Sequence, residues 1–196
     1  MKKQIYSIIV GLALIVFAIY SKQHAIPSPK EQVSGTSQIQ LDKSIKTIPG
    51  QPIKIARVVD GDTIELINGE RLRYIGIDTP EEVDPQKPGV QCYAREAAER
   101  NRELVEGHTI TFQKDVSTYD KYGRWLGFVY LEDGTMVNEE LVKGGFAFSY
   151  PYKPDIGKQD LFNADEAEAK AAKQGLWGVC TVTSLSTGRE QTNWLQ

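Results

Sequence analysis

Between Lys54 and Val59 polar and apolar residues alternate, with Ile55 and Arg57 set among apolar neighbours, which predicts a β-strand. Asp60-Gly61 then supplies turn chemistry, and Thr63 to Ile67 resumes a β-prone run, so the two segments read as a hairpin. Asn68-Gly69 is a second turn of the same favoured kind, and Arg71 to Ile77 predicts a third strand ending in Asp78-Thr79-Pro80. The period changes over Tyr93 to Glu106, where Ala94, Ala97, Ala98 and Leu104 make one apolar stripe and Gly107 stands where a helix would stop. Thr109 to Gln113 alternates again as a strand and Trp125 to Leu131 gives another, joined by the polar stretch Ser117 to Arg124, and Glu132-Asp133-Gly134 closes this section with a turn. Met136 to Lys143 and Asp160 to Gln174 predict two further helices, stopped by Gly144-Gly145 and Gly175. Five short strands with a helix inserted after the third, and helices at the end, predict an α+β domain on a closed, OB-like barrel.

The flanks are patterned differently. Lys2 and Lys3 precede an apolar run from Ile5 to Tyr20 that only Ser7 and Gly11 interrupt, which reads as an export signal. A run of this length sits between a cleaved apolar region and the roughly 20 residues that span a bilayer as a helix. Residues 1–25 are therefore a signal peptide or an N-terminal membrane anchor, with the remainder sent outward. Residues 26–50, with Pro27, Pro29 and several Ser and Gln, read as a polar linker. The working domain is placed at 51–180, and the tail at 181–196 has no readable pattern.

Composition narrows the chemistry. Two cysteines, Cys92 and Cys180, cannot build a structural zinc site. In an exported chain they are expected to pair, with two free thiols as the alternative. Without Lys2, Lys3 and Lys22 the formal net charge moves from −3 to −6, so affinity for a polyanion has to come from a local basic cleft. The only histidines are His24, in the tether, and His108, where a strand begins, which leaves carboxylates and arginines to carry any hydrolytic mechanism.

Asp62 lies just after a turn and Asp78 ends a neighbouring strand, so a curled meander can bring both to one rim and attract a hard cation. Two carboxylates and the Thr79 carbonyl would leave several calcium positions for water and phosphate, with weak affinity, roughly 10⁻⁴ to 10⁻³ M. Taken singly, Asp60-Gly61-Asp62 and Asp78-Thr79-Pro80 are read more simply as turns. What shifts the balance is convergence: Arg73 precedes Asp78 on the same strand, Glu81 follows it, and Arg124 sits in a glycine-containing turn.

These residues resemble the staphylococcal nuclease (thermonuclease) family. The resemblance rests on Val59-Asp60-Gly61-Asp62-Thr63, Arg73, Asp78-Thr79-Pro80-Glu81 and Asp120-Lys121-Tyr122-Gly123-Arg124. It continues through Met136-Val137-Asn138-Glu139, Leu141-Val142 and Tyr150-Pro151-Tyr152-Lys153-Pro154 to Gly175-Leu176-Trp177. It implies a five-stranded OB-fold barrel with three helices and a calcium site of Asp62, Asp78 and the Thr79 carbonyl. It also implies that Glu81 orients or deprotonates the attacking water and that Arg73 and Arg124 grip phosphate. Lys121, Tyr122, Tyr150 and Tyr152 match positions lining the nucleotide pocket, with packing as the competing role for the tyrosines. By the same likeness the substrates are DNA and RNA, cut endonucleolytically with little regard for base sequence to leave 3′-phosphate ends. Lys87 falls in the loop after Glu81, which is basic in the family; Glu82, Asp84 and Pro88 make it less so here. A monomer is expected, touching a membrane only through its N-terminal segment and only if that segment is uncleaved.

Two other classes stay in view: a noncatalytic nucleic-acid-binding OB-type module at the cell surface, and a surface interaction protein using the barrel as scaffold. The first usually loses acids or arginines from its site, yet Asp62, Asp78, Glu81, Arg73 and Arg124 are all present.

Overall fold

A computed structural model of the chain describes residues 39–83 and 89–195. The segment read as signal or anchor, the linker up to residue 38 and the loop of Lys87, Asp84 and Pro88 lie outside the described residues. Among the described residues no helix is long and apolar enough to cross a membrane.

The expected meander forms as β1 (Ile53–Asp60), β2 (Thr63–Leu66) and β3 (Arg71–Tyr74). The short β4 (Ile77–Asp78) and β5 (Val90–Gln91) precede the helix α1 (Ala94–Val105), which is followed by β6 (Thr109–Gln113) and β7 (Trp125–Leu131). Strands β1, β2, β3, β7 and β6 close a barrel in that order, all pairs antiparallel except β3 with β7. The inward-facing alternation predicts its filling: Ile64, Leu66, Leu72, Ile110, Phe112 and Val129 have no exposed surface. Two register shifts in β1, at Ile55/Arg57 and Val58/Asp60, bend its end toward the rim where Asp60 and Asp62 stand.

Three helices cover the barrel: α1, α2 (Val137–Lys143) and α3 (Gln159–Ala171), with the single turn α4 (Leu176–Val179) after them. The α+β barrel with three helices is thus what the structure contains. Asn138 on α2 is the polar pin between helix and barrel. Fully buried, it accepts from the Val129 N–H at 2.9 Å and donates to the Ile75 carbonyl at 2.9 Å. Asn138→Ala leaves both backbone groups without partners inside the core and is expected to cost about 2–4 kcal/mol, read by urea denaturation. A loss below about 1 kcal/mol would show that water satisfies them instead.

Four sequence expectations change. The third strand does not run through to Ile77; it stops at Tyr74, and the chain turns at Gly76 (φ +78°) before β4 pairs with β8 (Phe148–Ser149). Only glycine fits there, since a Cβ would lie 2.6 Å from the Phe162 ring. The helices read as Met136 to Lys143 and Asp160 to Gln174 are trimmed or shifted at their ends, a normal consequence of fraying.

The linker expectation fails for residues 42–50, which dock on the barrel. The Asp42 N–H donates to Ile67 O (2.8 Å), Asn68 Nδ2 to Ile45 O (3.1 Å) and Thr47 Oγ1 (2.8 Å), and the Gly50 N–H to Phe112 O (2.8 Å). The tail is not patternless either. Val182–Ser184 (β9) and Glu190–Thr192 (β10) make a hairpin, and Trp194–Leu195 (β11) pairs with β5. A disulfide joins Cys92 to Cys180, with Cα atoms 5.9 Å apart, so the thiols are paired and tie the base of this hairpin to the segment before α1.

Candidate active site

The site is assembled by the barrel rim and the β4–β8 pair. Gly61 is required by close approach, because a Cβ there would lie 2.6 Å from Thr79 Oγ1. That contact lets the loop after β4 fold against the β1–β2 turn. The Asp62 carboxylate accepts from the Thr79 N–H (3.0 Å) and the Thr79 hydroxyl (3.1 Å) through Oδ2, and from the Thr63 hydroxyl (3.2 Å) through Oδ1. Asp62, Asp78 and Thr79, the proposed metal ligands, are all buried and adjacent.

Arg73 links them. From β3 its Nη1 reaches Asp62 Oδ2 at 2.9 Å and its Nη2 reaches Asp78 Oδ1 at 3.1 Å, while Nη1 also donates to Tyr74 O (2.8 Å) and Ile77 O (3.2 Å). A guanidinium fork held by this many acceptors is fixed in orientation. Glu81 is placed by its backbone: its N–H donates to the Gln91 side-chain oxygen (2.7 Å) and its carbonyl accepts from the Gln91 N–H (3.0 Å). Its carboxylate stays 46% exposed, open to water and substrate.

The electrostatics are those of crowded acids. Burial, then the charge of Asp62, pushes the Asp60 carboxyl up to about 7. Burial raises Asp78 against the pull of Arg73, and burial followed by the charges of Asp62 and Asp78 raises Glu81. Several carboxyls raised together in one cleft mark a site that an added cation would relieve.

Arg73 also lines a cavity of about 460 Å³ together with Lys121, Tyr122, Arg124, Tyr150 and Tyr152. Every residue assigned to phosphate or nucleotide contact therefore borders one space, with Arg73 engaged by Asp62 and Asp78 and Arg124 engaged by Asp120. Arg124 Nε binds Asp120 Oδ2 at 2.6 Å, and Asp120 Oδ1 accepts from the Tyr122 and Arg124 N–H groups, both at 2.9 Å. The wall is aromatic and cationic: Lys121 Nζ and Arg124 Cζ lie 4.9 and 5.6 Å from the Tyr122 ring centroid, and Tyr150 and Tyr152 stack 6.4 Å apart. Tyr122 and Tyr152 are 72% and 65% exposed, so they are free to meet a ligand rather than pack the core.

The donors around Asp62, Asp78, Thr79 and Glu81 are oxygens, the set a hard divalent cation takes. Among the described residues no group of three or more His, Cys, Asp or Glu side chains is gathered as a ready cage. The Asp62 and Asp78 carboxylates instead face Arg73.

The sequence model for the family described as "Staphylococcal nuclease homologue" matches residues 71–179. The chain belongs to this family. Among its nuclease-family relatives, the protein described as Endonuclease YncB of Bacillus subtilis (strain 168) is 35% identical over 198 residues, covering 90% of this chain and 92% of its own. The Thermonuclease of Staphylococcus hyicus is 32% identical over 173 residues, covering 87% of this chain and 94% of its own. The SPbeta prophage-derived endonuclease YokF of Bacillus subtilis (strain 168) is 42% identical over 130 residues, 64% of this chain and 43% of its own.

Two residues of this staphylococcal nuclease homologue escape sequence reasoning. Asp155, 3% exposed, accepts from the Val116 and Ser117 N–H groups at 3.0 and 2.7 Å and holds the loop leading to Lys121. Arg189 comes from the tail, binding Asp78 Oδ2 through Nε at 2.6 Å and approaching Glu81 Oε1 through Nη2 at 3.6 Å. Nothing local in Ser186-Thr187-Gly188-Arg189-Glu190 marks it as a site residue.

Proposed function

We infer that the protein is a calcium-dependent, sequence-nonspecific endonuclease that hydrolyses phosphodiester bonds of DNA and RNA and leaves 3′-phosphate ends. The observation that carries this reading is Arg73: one guanidinium bridges the Asp62 and Asp78 carboxylates and borders the cavity of Lys121, Tyr122, Arg124, Tyr150 and Tyr152.

Asp62, Asp78 and the Thr79 carbonyl would hold the ion, which when bound supplies charge neutralisation and polarisation at the phosphate. Glu81 takes a proton from water as its oxygen bonds to phosphorus and the bond from phosphorus to the 5′ oxygen breaks; the leaving oxygen is protonated from solvent. Arg73 and Arg124 present planar forks to the phosphoryl oxygens as negative charge builds there. To do so Arg73 has to give up contacts with Asp62 and Asp78, which the ion would take over, and Arg124 has to trade Asp120 for phosphate. Tyr122, Tyr150 and Tyr152 offer faces on which any base can stack, which is why base identity matters little.

Incubating the full chain with single- and double-stranded DNA and with RNA tests this directly. Cleavage is expected with calcium and should fall to background in chelator, and the new ends should carry 3′-phosphate. Equal digestion in chelator contradicts the ion's role, and binding with no cleavage in calcium favours the noncatalytic module. We also propose export, from Lys2, Lys3 and the apolar run to Tyr20; a mature N-terminal mass beyond Tyr20 indicates cleavage, and retention of Met1 indicates an anchor.

A further inference from the structure

The C-terminal hairpin is fixed at its base, through the chain on both sides of it. At its base stands the disulfide at Cys180, and the Thr181 N–H donates to Asn193 Oδ1 at 2.9 Å. Where the chain leaves that base, Trp194 and Leu195 pair with Gln91 and Val90, the Thr192 hydroxyl donates to Cys92 O at 2.8 Å, and the Cys92 N–H donates to Asn193 O at 2.8 Å. Thr192 is fully buried, and Lys170 Nζ holds Glu190 at 2.9 Å. Gln91, clamped by β11, is the residue that grips the Glu81 backbone in both directions. At the hairpin's tip, where the Leu185 N–H donates to Arg189 O at 2.8 Å, Arg189 meets the acidic rim.

Its placement divides one carboxylate between two guanidinium groups. Arg73 takes Asp78 Oδ1 at 3.1 Å, and Arg189 takes Oδ2 at 2.6 Å while reaching toward Glu81. The two arginines differ in how firmly they are held. Arg73 is 16% exposed and has further backbone acceptors; Arg189 is 35% exposed, at the end of a long flexible stem. A divalent ion drawn to Asp78 therefore meets a like charge already seated on each of its two oxygens, and the seat that can be vacated is the one Arg189 holds.

We propose that Arg189 is a resident counter-cation of the divalent-ion site, a positioning residue that keeps Asp78 and Glu81 apart in charge while the ion is away and lowers the site's affinity for it. The inference rests on Asp78 being an ion ligand. In this role the tail is part of the site: it sets the ion concentration at which the site loads, and it stabilises the unloaded acids.

The test is calcium titration by calorimetry on the full chain, comparing the parent with Arg189→Gln and Arg189→Lys, alongside thermal melts in chelator and in saturating calcium. Removing the charge is expected to tighten calcium binding about tenfold or more, with Arg189→Lys staying near the parent because it keeps the charge. Arg189→Gln should melt lower than the parent in chelator and regain most of that difference in calcium. Unchanged calcium affinity in Arg189→Gln, whether with equal losses of melting temperature in both conditions or with a raised KM for nucleic acid alone, overturns the proposal and leaves Arg189 a structural or substrate contact. If the parent binds no calcium, the ion-site reading itself falls and takes this inference with it, a result distinct from binding that ignores Arg189.

Discussion

Replacing Glu81 by glutamine is expected to lower the cleavage rate by about 10²–10⁴, the range that a positioned general base contributes. The substitution keeps size and shape while removing the proton acceptor. Glu81 is held for this role from its backbone, through the two hydrogen bonds with Gln91, so the side chain is not needed to shape the loop. In the ion-free site its carboxyl is raised by burial and then by the charges of Asp62 and Asp78, a shift that a bound cation relieves. The loss should therefore appear in kcat, with KM and melting temperature little changed. Arg73→Lys should be as severe by a different route: an ammonium cannot span Asp62 and Asp78 as the fork does, so about 10²–10³ in rate is expected to go, by analogy with losing one oxyanion donor. A Glu81→Gln protein retaining more than a tenth of the parent rate would remove Glu81 from the role of base.

Breaking the disulfide is expected to be the largest single loss of stability. Cys92 and Cys180 are 88 residues apart, and in the chain-entropy account a loop of that length is worth about 4–5 kcal/mol. For a chain of this size that corresponds to a fall of roughly 10–20 °C in melting temperature. Calorimetry of Cys92→Ser/Cys180→Ser, and of the parent with and without reductant, measures it. A drop below about 1 kcal/mol would mean that the β5–β11 pairing and the Thr192 contact hold the tail without the covalent link. The bond also anchors the hairpin bearing Arg189, so the reduced protein should bind calcium more like Arg189→Gln than like the parent.

The barrel was legible because its five strands announce themselves locally. Period-two alternation and the Asp60-Gly61 and Asn68-Gly69 turns locate β1 to β3, and the inward positions Ile64, Leu66 and Leu72 follow from them. The constellation was legible for another reason: Asp62, Arg73, Asp78 and Glu81 lie within one meander, so short loops force them together. What stayed hidden depends on distant partners. The two-residue strands β4 and β8 have no period to detect, yet their pairing brings Asp78 beside Phe148, and the Tyr150 N–H donates to Gly76 O at 2.8 Å. Asn138 looked like any helix-start polar residue until its carbonyl and amide met Val129 and Ile75. Arg189 lies 111 residues from Asp78, and nothing local distinguishes it from a solvated arginine. Residues 42–50 read as linker because their ties to Ile67, Asn68 and Phe112 run mostly through backbone groups, which composition does not reveal.

The most direct test of one ion, three acids and two arginines acting on a single linkage is a crystal structure of Glu81→Gln with calcium and a short single-stranded oligonucleotide. The ion is expected at about 2.3–2.6 Å from oxygens of Asp62, Asp78 and Thr79, with one phosphate between it and the guanidinium groups of Arg73 and Arg124. An ion seated elsewhere, or an oligonucleotide lying on a face away from Arg73, would contradict it.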